Sequence, residues 1–328
     1  MLLLLGMASE RNVLRVIPAK KGGGANWIVE HDPQNPPDIV FDTNVWISMN
    51  NNDMDSLKKL ESNRGFRYRY SVTNYCELVS HLEDEPSRSC REPFVKYRQC
   101  LRRIVKVCHH DVLPSPEMEL LALVGLESYL NPAWIPNQKQ TALAVELIGN
   151  ADSLAEVRGD LPSNSSQIPR YVVKPGHYRN LRDTDSNSFC KIMELLDRID
   201  PPIRGSDKEK MNALTNWFLI LANFFFLIRA SGQKVHFNKL PKNEANQFLE
   251  AFMQGAGRLF QAHCVTIAKK RINEKRRIDP NDLYDAMQLL YLQDENRIFV
   301  TADKFFHLYE IDPEIQRVIP WGAFRNSS

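Results

Sequence analysis

Two short, wholly apolar runs that each lead into an aspartate constrain this chain more than any other feature. Ile39-Val40-Phe41 ends directly in Asp42, and Ile298-Phe299-Val300-Thr301 reaches Asp303 after Ala302. Continuous apolar runs of this length, rich in β-branched and aromatic residues, are the pattern of strands covered on both faces, as in a parallel sheet. Open parallel sheets bind ligands beyond the carboxyl ends of their strands, so the two aspartates are expected to share one crevice. Read alone, Asp42 is explained as the cap of the following helix. The independent second strand with the same ending turns the reading toward a site.

The rest of the chain fits an α/β domain interrupted by a long helical stretch. Residues 1–38, with Gly22-Gly23-Gly24 and a proline-rich turn at Asp32–Pro37, read as an N-terminal extension holding a short strand at Trp27–Val29. Residues 39–82 form the first part of the core, with a helix at Ser56–Leu60, a strand at Phe66–Val72 and a helix capped by Thr73 or Asn74. Residues 83–278 carry a helical pattern and read as an insertion that partly completes the core. In the second part of the core, 279–328, Asp279-Pro280 starts a helix over Asn281–Gln293. Val318-Ile319-Pro320-Trp321 closes the chain as an edge strand, where a proline is tolerated.

Composition excludes more than it identifies. A hydrophobic share of 43% and a charged share of 25% are those of ordinary globular domains. With 42 basic against 40 acidic residues the net charge is only +2, so a nucleic-acid partner must be met by a local patch. The six cysteines are widely spaced without a C-x-x-C pair, which argues against a zinc ribbon or a disulfide framework and for a reducing, cytoplasmic setting. Met1–Leu5 is too short, and lacks the charged region, for a signal peptide. The apolar run Trp217–Ile228, with Phe224-Phe225-Phe226 inside it, is interrupted by Asn223 and reads as a buried helix rather than a membrane span.

Two further acids deserve the same scrutiny as Asp42 and Asp303. In the helix after Pro280, Leu283, Ala286, Met287 and Leu290 mark the packing face. Asp282 falls at the third helical position, where the helix dipole and backbone donors explain it, whereas Asp285 lies too deep for capping. Metal binding supplies a reason for Asp285. Glu77 is ambiguous, because Asn74-Tyr75-Cys76-Glu77 also reads as a capping box. Four carboxylates in one cleft would repel one another and raise some of their pKa values unless a cation neutralises them, and an oxygen-only set suits Mg²⁺ or Mn²⁺ rather than zinc.

At this point a resemblance becomes specific. Ile39-Val40-Phe41-Asp42-Thr43-Asn44-Val45-Trp46, Thr73-x-x-x-Glu77, Asp282-Leu283-Tyr284-Asp285-Ala286 and Phe299-Val300-Thr301-Ala302-Asp303-Lys304-Phe305-Phe306 resemble, in order, the successive motifs of PIN-domain nucleases. The likeness covers 39–82 and 279–321, roughly a quarter of the chain. It implies a three-layer α/β/α fold with a parallel sheet, and a hydrolase that holds Mg²⁺ or Mn²⁺ to cleave phosphodiesters, usually of RNA. It further implies that Asp42, Glu77, Asp285 and Asp303 form the catalytic, metal-holding set, with Asp282 a further candidate and with Asn44 and Thr301 in support. The long separation of Glu77 from Asp285 departs from the compact family pattern, and the intervening helices offer a lid, a surface for a protein partner or inhibitor, or an RNA-reading module.

Lys269-Lys270-Arg271 and Lys275-Arg276-Arg277 place six basic residues within nine positions, able to hold a phosphate backbone or simply to face solvent. Arg102, Arg103 and Lys106 form a smaller patch with the same two readings. The expectation is a metal-dependent endoribonuclease acting on single-stranded or structured RNA. A catalytically silent nucleic-acid-binding or scaffold protein, and a structure-selective DNA nuclease, are the alternatives.

Overall fold

The computed structural model describes residues 15–18, 27–109, 111–123, 136–158, 174–181, 183, 241–243, 246, 259–260, 263, 285, 287–303 and 317–325. An antiparallel pair, β1 (Arg15–Pro18) and β2 (Trp27–Glu30), comes first. Five parallel strands then form one sheet: β3 (Asp38–Phe41), β4 (Arg67–Ser71), β5 (Val112–Leu113), β6 (Arg297–Thr301) and β7 (Val318–Pro320). Their spatial order is β5-β4-β3-β6-β7, with β3 in the middle. The chain lays β4 and β5 down on one side of β3, then returns to place β6 and β7 on the other. The winding therefore reverses between β3 and β6, the position where open α/β sheets splay their connections apart and leave a crevice.

Side chains alternate across this sheet with period two, as the pleat requires. Ile39, Phe41, Ile298, Val300 and Ile319 enter one buried cluster, while Val40, Phe299 and Val318 enter another with Leu289, Tyr291 and Leu292. Both faces are covered, which explains why the strands read as unbroken apolar runs. The fold is mixed α/β around a parallel sheet, an arrangement consistent with three layers.

The first cluster is built on the helices α1 (Thr43–Ser48), α2 (Asn51–Arg64), α3 (Val72–Ser80), α4 (Pro93–Cys108) and α6 (Gln138–Asn150), with α5 (Pro116–Leu123) and α7 (Leu154–Arg158) between and after them. In α4, buried Tyr97, Cys100, Leu101, Ile104, Val107 and Cys108 recur at the three- and four-residue spacing that makes one helical stripe. Helix α2 begins with a reciprocal Asn50–Asp53 capping box and ends at Gly65, whose φ of 71° is a left-handed conformation that glycine adopts without penalty. Phe41 sits at the centre of an aromatic group: its ring lies 5.1 Å from Trp46, 5.6 Å from Tyr68, 5.8 Å from Trp321 and 5.9 Å from Phe324. The last two belong to α8 (Trp321–Phe324), which follows β7.

Several local expectations differ from the structure. Helix α2 spans fourteen residues rather than the five at Ser56–Leu60, because its capping box lies upstream of the apolar stripe. Helix α3 is capped by Ser71, not by Thr73 or Asn74: the Ser71 hydroxyl accepts from the Asn74 backbone N–H at 3.1 Å, and Asn74 Oδ1 accepts from the Ser71 N–H at 3.0 Å. Strand β5 lies within the stretch read as helical, and β5, α4 and α6 pack in the same core as the strands. Among the described residues no helix is long and apolar enough to cross a membrane. The apolar run 217–228 lies outside the described residues, as do 1–14, 269–277 and 279–282.

Candidate functional site

Asp42 is the first residue after β3, at the reversal of the sheet, and its side chain is almost wholly buried at 1% exposure. Its backbone N–H donates to the Val300 carbonyl at 2.9 Å, which carries the β3–β6 pairing to the very end of β3. Capping does not account for the carboxylate. Asp42 occupies the N-cap position of α1 but forms no side-chain capping hydrogen bond, although the Asn44 backbone lies close enough to favour its ionised form.

Two neutral groups fix that carboxylate. Thr301, the last residue of β6, donates its hydroxyl to Asp42 Oδ2 at 3.0 Å, and the Gln288 side-chain amide donates to Oδ1 at 3.3 Å. The same Thr301 hydroxyl accepts from the Asp303 N–H at 3.0 Å, which folds the chain back after β6. Asp303 is thereby near enough for its charge to oppose ionisation of Asp42. Burial pushes the Asp42 pKa above the usual carboxylate value, the hydrogen bonds from Thr301 and Gln288 pull it down, and Asp303 adds a smaller upward push.

Glu77 reaches the same end of the sheet by a different route. Its carboxylate accepts a hydrogen bond from the Thr43 hydroxyl, on the residue after Asp42. Thr43 in turn accepts from Asn74 Nδ2 at 2.9 Å, and Asn74 is held by the Ser71 cap. The capping-box explanation for Glu77 is therefore removed, since Ser71 and Asn74 form that box themselves. Asp285 lies on the helical segment three residues before Gln288, hence on a neighbouring part of the same face. It is half-buried.

The structure thus brings Asp303 within electrostatic reach of Asp42, links Glu77 to the residue after Asp42 through Thr43, and places Asp285 one turn from the amide that holds Asp42. Thr301 takes a direct part; the Asn44 side chain is exposed and forms no hydrogen bond to the acids. Asp282, Lys269, Lys270, Arg271, Lys275, Arg276 and Arg277 lie outside the described residues. Gln288, Thr43 and Asn74 were missed as site residues; Thr43 stands inside the Asp-Thr-Asn motif, but nothing local marks Gln288.

A comparison among buried acids separates Asp42 from structural carboxylates. Three aspartates are buried among the described residues: Asp38, Asp42 and Asp53. Asp38, at the opposite end of β3, pairs with Arg67 Nε at 2.8 Å and Arg69 Nε at 3.1 Å. Asp53 lies 3.4 Å from Arg325 Nη1. Asp42 has no cationic side chain beside it among the described residues, and another carboxylate instead. A buried carboxylate is ordinarily paired or coordinates a metal. Each Asp42 oxygen receives one side-chain hydrogen bond and keeps lone-pair capacity, so the donor set fits a hard divalent cation. No cluster of three or more acidic, histidine or cysteine side chains that could hold a metal occurs among the described residues. No protein-family model, curated protein or solved structure matches this chain significantly.

Proposed function

We propose that the chain is a metal-dependent nuclease of PIN-like, three-layer α/β/α architecture that hydrolyses RNA phosphodiester bonds at the Asp42 pocket. The supporting observation is the buried Asp42 carboxylate where the sheet reverses, with no arginine or lysine beside it among the described residues and with the Asp303 charge near enough to oppose its ionisation. Asp42, Asp303, Glu77 and Asp285 are the residues that would hold Mg²⁺ or Mn²⁺. When bound, such an ion polarises a scissile phosphate, lowers the pKa of water and offsets charge on the leaving oxygen.

The chain's own residues supply order around it. Thr301 and Gln288 keep both Asp42 oxygens in place, so little reorganisation accompanies cation binding. Thr43 holds the Glu77 carboxylate on the same side of the sheet as Asp42, and Asn74 keeps the Thr43 hydroxyl turned toward it. The Asp303 charge opposes ionisation of Asp42, so a divalent ion held by the two would relieve that repulsion.

The test uses purified protein with end-labelled single-stranded RNA, a tRNA-like fold and single-stranded DNA, each in Mn²⁺, Mg²⁺ or EDTA. Cleavage of RNA that requires metal and is abolished by Asp42→Asn, in a protein that remains folded, is the expected result. Metal-independent cleavage, or cleavage unaffected by that substitution, would overturn the reading.

A further inference from the structure

Away from the acidic pocket, four cations line one groove of about 290 Å³: Arg98, Arg102, Arg103 and Lys106 on α4, over a partly apolar floor from Met54 and Val95. They recur at three- and four-residue spacing, so they rise along one face of the helix about a turn apart. None of the four pairs with a carboxylate among the described residues. A solvated helix face ordinarily intersperses charges of both signs; α4 itself contributes no acidic residue here.

The arginines are anchored rather than free. Arg98 donates to the Ala151 carbonyl and Arg102 to the Gly149 carbonyl, both at the end of α6, and Arg103 donates to the Trp46 carbonyl at 3.3 Å in α1. Arg98 also lies over the Phe94 ring, 5.2 Å from its centroid. A guanidinium carries five N–H donors, and each of these spends one or few on a main-chain carbonyl. The remaining donors are held near fixed positions with no carboxylate to meet among the described residues. Such pre-orientation is what makes arginine effective toward phosphate.

We propose that this groove is a phosphate-binding exosite that holds the backbone of single-stranded RNA outside the acidic pocket. Arg103 ties it to α1, the helix that begins next to Asp42 and is about 9 Å long at 1.5 Å per residue. One strand can therefore lie along α1 between the groove and the pocket. The identity of the polyanion rests on reading the Asp42 pocket as acting on RNA; the groove's affinity for phosphate does not.

Anisotropy of a fluorescein-labelled oligouridine, titrated with the full chain in EDTA across a range of salt, tests the groove without requiring cleavage. Each phosphate contact on a single strand contributes about 0.7 to the slope of log K against log salt. Arg102→Gln with Lys106→Gln should weaken binding by about tenfold and lower the slope by about 1.4. Lys106→Gln alone, at an exposed residue with no ion pair among the described residues, should lower the slope by about half as much. Lys58→Gln with Lys59→Gln, the same charge change on exposed residues of α2 outside the groove, should leave both readouts unchanged. Wild-type affinity and slope in the Arg102/Lys106 variants would overturn the exosite, whether or not the chain cleaves RNA. RNA held through the groove but never cleaved would sink the nuclease reading and leave the exosite standing.

Discussion

Asp42 is the residue on which the proposed chemistry and stability oppose one another. Burial raises its folded pKa above that of an unfolded aspartate, about 3.9. Its contribution to stability is therefore fully present below about pH 4 and is lost as pH rises through the folded value. In EDTA, Asp42→Asn should melt above the wild type at neutral pH, with the gap closing near pH 4; a wild type that melts higher at neutral pH would contradict this. Mn²⁺ should raise the wild-type melting temperature and leave Asp42→Asn unmoved. Thr301→Val tests the hydroxyl that serves both aspartates. It leaves Asp42 Oδ2 and the Asp303 N–H each short of a partner, at about 1–3 kcal/mol of stability, and should lower metal-dependent cleavage about 10–100-fold. Asp42 and Thr301 were legible as residues because each closes an apolar run. Their contact was not, since Thr301 approaches Asp42 only when β3 and β6 pair across more than 250 positions of chain. Gln288 left no signal at all: an amide inside an otherwise apolar face acquires meaning only from what it faces.

At the scale of elements, strands were read well where both faces are buried and poorly where pairing alone creates them. Ile39–Phe41 and Ile298–Thr301 carry their own evidence in sequence. Val112-Leu113 does not, because two apolar residues after a long helix become a strand only by lying beside Tyr70 and Ser71. Helix starts failed for a related reason: Ser71, Thr73 and Asn74 are all acceptable caps, and only the reciprocal bonds of Ser71 with Asn74 decide between them. Helix α3 also transmits this cap to the site, through Asn74 and Thr43 to Glu77. Ser71→Ala should therefore cost about 1 kcal/mol in a urea titration and, in the same protein, reduce cleavage. A stability loss with cleavage unaltered would mean that Glu77 does not depend on the helix start for its position.

The whole molecule is held together where its two halves in sequence interlock. Tyr291, wholly buried, donates its hydroxyl to the Pro114 carbonyl at 3.0 Å, and the Phe41 ring joins the strand at the centre to Trp321 and Phe324 near the end of the chain. Phe41→Ala should cost about 3–5 kcal/mol, a large part of the about 5–15 kcal/mol that keeps an ordinary domain folded, read by calorimetry as a fall in melting temperature. Among the described residues both sides of the sheet finish in very short strands: β5 has two residues, and β7 has three, the last of them Pro320. A strand of that length offers few main-chain donors to a second molecule, and proline offers none. As far as the described residues go, the parallel sheet thus carries its longer strands inside and ends in blunt margins, a form that discourages one copy from adding to another and growing into fibres.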